Sequence, residues 1–156
     1  MPEWSDVLTA VTSARPDDRE GSLARLRDVW DALGDDDHAQ KCVVAHYAAD
    51  LESVLDDEVR WDEAAFASYA HVGDEDLAPV GIPSARGLAP SLHLNLADGY
   101  LRQGRLTESR HHLDAATEAL PVLADDGYGQ LIRDAVAGVS ERWDLADSTV
   151  GSPGRD

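Results

Sequence analysis

The chain has a single cysteine, Cys42. An internal disulfide framework is therefore excluded, and a reducing compartment suits the sequence. Basic charge is scarce: 13 Lys and Arg stand against 31 Asp and Glu, for a formal net charge of -18. Such a chain repels nucleic acid and anionic membrane surfaces, so direct contact with either is not expected. No apolar run approaches the ~20 residues of a membrane-spanning helix. The opening "MPEWSD" is acidic and lacks the basic and apolar parts of a secretory leader. No alternation of apolar and polar residues runs beyond about four positions, so no strand is expected. Together these absences point to a cytoplasmic, helical protein. Of the 13 basic residues only Lys41 is a lysine, which reflects a GC-rich genome rather than a function.

What remains is a chain of 156 residues with 43% hydrophobic residues, enough for one domain with a substantial core. Aromatics make up only 6%, while Ala and Leu are many, a composition suited to close helix packing. The apolar spacing predicts seven helices. Trp4, Val7, Leu8 and Val11 mark the first, which Pro16 ends. The second is capped by Ser22, carries Leu23, Leu26, Trp30 and Leu33, and ends at Gly34. A third, from 36 to about 55, buries Val44, Tyr47, Ala48, Leu51 and Leu55. The fourth begins near Asp57 and carries Val59, Ala65, Phe66 and Tyr69. After a Gly- and Pro-rich stretch at 73–90, read as a flexible loop, a fifth carries Leu92, Leu96 and Tyr100 and stops at Gly104. The sixth spans about 107 to 120, with Pro121 beyond it. Tyr128, Leu131, Ile132, Ala135, Val136, Val139 and Trp143 mark the seventh. The expected organisation is one helical domain over 1–143 and a disordered tail over 144–156.

The acidic clusters have a local use. Asp17 and Asp18, the run at 35–37, the run at 56–58, and Asp125 with Asp126 all precede or open a predicted helix. Carboxylates there bond free N–H groups and meet the positive end of the helix dipole. None sits in a loop with the alternating oxygens and glycine of a calcium-binding hand. An acidic surface that mimics nucleic acid, and so inhibits a nucleic-acid-binding protein, is the alternative use of the same charge.

The stretch 93–121, "HLNLADGYLRQGRLTESRHHLDAATEALP", resembles a tetratricopeptide repeat unit. Leu96, Ala97 and Tyr100 stand for its L-G-x2-Y element, with Gly104 at the turn between the helices. Ser109 and Leu113 stand for A-x3-F, Ala116 occupies a further small position, and Pro121 closes the unit. His93 departs from the pattern, standing where the family has tryptophan. Elsewhere the likeness is degenerate: "KCVVAHYAADLES" offers Val44 and Ala45 but has Ala48 in the tyrosine position. The layout, and "PSLHLNLADGY" in particular, is also similar to actinobacterial tetratricopeptide-like proteins, a likeness that implies no activity. The resemblance implies an all-α array of about seven antiparallel helices: three helix pairs and a C-terminal capping helix.

It also implies a concave groove lined by the first helix of each pair. Carried over from the clear unit, the groove positions are Ser91, Leu94, Asn95, Asp98, Leu101 and Arg102. Matching Ala45 to Ala97 adds Cys42, His46, Ala49 and Asp50 on the third helix. Three of these, Cys42, His46 and Asp50, belong to the ladder His38, Cys42, His46 and Asp50, spaced four apart in "DDDHAQKCVVAHYAAD". On a straight helix His38 and His46 lie ~12 Å apart along the axis and cannot share one ion. Cys42 and His46 can, if further ligands come from elsewhere, and a metal site there stays open. A Cys42 nucleophile would lack an oxyanion hole and a helix N-terminus to lower its pKa. The ladder is then either a groove wall or part of the structure, and both uses stay open. No catalysis and no cofactor are expected. The expected function is a protein- or peptide-binding scaffold. Its acidic groove suits a basic or amphipathic ligand, and three degenerate pairs leave an outer face open to homodimerisation.

Overall fold

A computed structural model describes residues 3–150. Seven α-helices and no strand are present among the described residues, and the all-α expectation holds. The chain divides between Leu88 and Ala89 into two compact units.

The first unit contains α1 (Trp4–Thr12), α2 (Arg19–Ala32), α3 (His38–Leu51) and α4 (Leu55–Tyr69). α3 packs along α4 and α2, and α1 packs on α2 and α3. The helix starts follow carboxylate chemistry, though not at every expected residue. Asp18, not Ser22, caps α2, accepting from the Gly21 N–H at 3.2 Å. Pro16 opens a 3-10 turn ahead of it. Ser22 instead lies in the core and accepts the Arg15 N–H at 2.9 Å. Gly34 is likewise no left-handed cap: its φ is not positive, and its N–H donates to Asp37 at 2.7 Å.

α3 ends at Leu51 rather than near 55 because Glu52 turns extended and its carboxylate is held from two sides. Arg27 donates to it at 2.8 Å and the Trp61 indole at 3.0 Å. The Glu52 side chain is only 6% exposed, so these charge-assisted bonds fix the corner between α3 and α4. Trp61 also meets Trp30 edge-to-face at 5.3 Å. Tyr47, expected inside, is exposed.

The stretch 73–90 makes several hydrogen bonds. The Tyr69 hydroxyl donates to the Ala85 carbonyl at 3.0 Å, and the Ala85 N–H donates to the Asp74 carbonyl at 2.9 Å. Ser84 donates to the Asp74 carboxylate at 2.6 Å. Two 3-10 turns, Ala78–Val80 and Ala85–Leu88, carry the chain, and Leu77, Ala85 and Leu88 are buried.

The second unit contains α5 (Ala89–Arg102), α6 (Leu106–Ala119) and α7 (Gly127–Val150). Gly104 turns the chain between α5 and α6 with φ +77, a conformation cheap only for glycine. The hairpin closes tightly because the expected small positions face each other. Ala97, Ser109 and Ala116 are fully buried, and Ser109 Oγ donates to the Ala97 carbonyl at 2.7 Å. α7 lies against both helices. Its Ile132, Val136 and Val139 form one core cluster with Leu94, Ala97, Leu113 and Ala116. Trp143 packs against that cluster and its indole donates to the Leu106 carbonyl at 2.9 Å. α7 also runs to Val150, so residues 144–150 of the expected disordered tail are helical; 151–156 lie outside the described residues. No helix among the described residues is long and apolar enough to cross a membrane.

Candidate functional site

The ladder on α3 separates into a buried half and a surface half. Cys42 has no exposed surface, and burial pushes its thiol up to about 12. A thiol so protonated is neither a nucleophile nor a ready metal ligand, and a residue so enclosed does not wall a groove. His46 is half-buried, and its pKa is lowered by burial against the opposing pull of Asp50. Asp50 is exposed. His38 belongs to a different cluster, with its ring stacked on that of His71 at 4.5 Å. The carry-over of groove register from α5 to α3 thus fails at Cys42 for a steric reason: α3 is enclosed by α2 and α4, and a residue facing inward on it becomes core.

In the second unit the expected groove face of α5 lies largely under α7. Leu94 is 8% exposed and sits in the core cluster, with Leu101 packed against it. Asp98 is bridged to Arg142 of α7 at 2.5 Å and to Arg102 at 2.9 Å. Ser91 is buried, Asn95 half-buried, and Arg102 exposed. Leu94, Asp98 and Leu101 therefore hold α7 in place.

Two features of this unit lay outside the expected site. His93 and His112 meet end-on between α5 and α6, with their Nδ1 atoms 3.0 Å apart and ring centres 5.3 Å apart. One ring donates and the other accepts, which a neutral pair satisfies. Both pKa values are lowered, first by burial and then by neighbouring histidines. That of His112 falls to about 4 despite the opposing Glu108. Tyr100 borders the pair and Arg105 covers the Tyr100 ring at 4.3 Å. His93 stood at the tryptophan position of the repeat motif, which was the available signal that it faces the partner helix. Among the described residues no group of three or more His, Cys, Asp or Glu is placed to hold a metal ion.

The second feature is a pair of stripes on α7. Ile132, Val136, Val139 and Trp143 face the core. Beside it, in the same three-four spacing, run Leu131, Ala135, Gly138, Arg142 and Leu145, preceded by Tyr128. Tyr128, Leu131 and Leu145 are 51%, 64% and 70% exposed, although Tyr128 and Leu131 help to mark the helix in the sequence. Both stripes have helical spacing, and only the packing distinguishes them.

No family model, no curated protein and no solved structure matches the chain.

Proposed function

We propose that the protein is a non-catalytic binding module for a protein or peptide segment, acting in a reducing, cytoplasmic setting. The observation that carries this reading is the α5–α6 hairpin. Its close approach through Ala97, Ser109 and Ala116 is what a tetratricopeptide-like unit would use to present helix faces to a partner. The chemistry of the side chains favours the same reading: the one thiol is buried and held protonated. The excess of 18 negative charges selects for a basic or amphipathic ligand.

The same charge supports a second reading, an acidic mimic that occupies a nucleic-acid-binding protein. Salt separates the two. Affinity capture with the full chain would be run at physiological ionic strength and again at about 0.5 M, where the Debye length falls below ~5 Å. A binding module with apolar contacts retains its partner at both. A mimic releases basic nucleic-acid-binding proteins at the higher salt. If neither condition retains a protein, the reading falls.

A further inference from the structure

We infer that the outer stripe of α7 is the docking face of this module, and that its occupant is a basic amphipathic helix; this rests on the binding reading above. The stripe is Tyr128, Leu131, Ala135, Gly138 and Leu145, with Arg142 at the position between the last two. Its three large members are more than half exposed, which is uncommon for Leu and Tyr sharing one helix face. Leu131 and Leu145 are 14 residues apart and stand ~21 Å apart along the axis. Between them the floor is low. Ala135 packs down onto the core cluster, and a Cβ built on Gly138 would meet nothing within 4 Å. The result is two apolar knobs, with a shallow notch about three turns long between Leu131 and Arg142. A partner helix fills such a shape with apolar side chains at i, i+3 or i+4, and i+7.

Charge names the partner's other face. Asp134 and Glu141, both exposed, are seven residues apart and run parallel to the stripe on the side away from the core. Arg142, the cation on this face, is tied to Asp98. A partner helix with Lys or Arg at seven-residue spacing beside its apolar seam would lie against both features. A second copy would instead bring the same carboxylates and a further -18 charge against this edge.

The test uses a labelled 18-residue model helix with Leu at i, i+3, i+4 and i+7 and Lys elsewhere, and an isomer of the same composition with the pattern scrambled. Binding to the full chain is read by fluorescence anisotropy at about 0.15 M and 0.5 M salt. The variants are Leu131→Glu, Gly138→Gln and, as a surface control in the first unit, Val54→Glu. Leu131 and Val54 are exposed and the notch at Gly138 is open, so each variant should fold. Leu131→Glu adds negative charge, so purely electrostatic binding would tighten. The expected result is the opposite, a loss of about tenfold or more. Gly138→Gln weakens binding comparably, Val54→Glu leaves it unchanged, and the scrambled isomer binds at least about tenfold more weakly. Equal binding of the two peptides, or indifference to Leu131→Glu, overturns the docking face. So does a wild-type dimer, seen by sedimentation, that Leu131→Glu dissociates. If the model helix fails while lysate capture still retains a partner at high salt, the docking face falls and the binding reading stands. If capture also fails, both fall.

Discussion

Two glycines of α7 should respond in opposite directions to the same substitution. Gly138 lies mid-helix, and a Cβ there would meet nothing within 4 Å. Gly138→Ala therefore gains helix propensity without a clash and should stabilise the fold by ~0.5–1 kcal/mol. Gly129 sits in the first turn, where a Cβ would fall 2.1 Å from the Ala124 carbonyl oxygen. To clear it the backbone must retreat by more than ~1 Å, because ordinary carbon contacts begin near ~3.5 Å. That movement pulls the Gly129 N–H away from Asp126 Oδ1, which it reaches at 2.8 Å. Losing such a cap costs ~1 kcal/mol. Displaced packing at this end of α7 adds to it, so Gly129→Ala should destabilise by ~1–2 kcal/mol despite the gain in propensity. In a chain of this length the two variants should move the thermal midpoint by about +1 to +4 °C and -2 to -8 °C. Circular dichroism at 222 nm, with urea unfolding as a check, reads both. If Gly129→Ala proved as stabilising as Gly138→Ala, the first turn of α7 would not be seated against residue 124 as described.

Three further outcomes follow from the packing and the titrating groups. Ser109→Ala removes the bond to the Ala97 carbonyl and should cost ~1 kcal/mol in urea unfolding. Ser109→Leu forces α5 from α6 and should cost ~1–3 kcal/mol or more; equal effects would contradict the close approach. Cys42 should react with a thiol reagent at pH 8 far more slowly than in urea-unfolded protein, and labelling of the folded chain at the unfolded rate would contradict its burial. Stability should fall as pH is lowered from about 6.5 toward 4. The folded-state pKa of His112 is depressed to about 4 from the usual 6.5, so in that window the unfolded state binds more protons and acid favours unfolding. His93 and His46 are shifted in the same direction. The His112→Gln variant should show a flatter pH profile, and an unchanged slope would refute the assignment.

The helices and the α5–α6 unit were legible because both rest on local spacing. Apolar residues three and four apart, Gly104 at a turn and small residues at 97, 109 and 116 need no knowledge of distant contacts. The exposed stripe of α7 was not legible in the same way. Leu131 and Ile132 belong to two overlapping helical patterns, and only the position of α5 and α6 decides which one faces inward. Cys42 failed for a related reason: its groove role came from aligning α3 with α5, but α3 has neighbours on more sides. The His93–His112 contact spans 19 residues, a distance no periodicity reports. The polar run at the end of α7 looked like a tail, yet no glycine or proline interrupts it before Gly151. Ser148 and Thr149 donate back to the carbonyls of Asp144 and Leu145 at 2.9 Å, satisfying their hydroxyls within the helix.

The most direct test of the central claim is a nuclear magnetic resonance titration of isotope-labelled full chain with the patterned Leu/Lys helix, read residue by residue. Amide shifts concentrated at Tyr128, Leu131, Ala135, Gly138 and Leu145, with Asp134 and Glu141 beside them, are the predicted result. Shifts concentrated around His46 and Asp50, or spread over acidic residues throughout the chain, would contradict it.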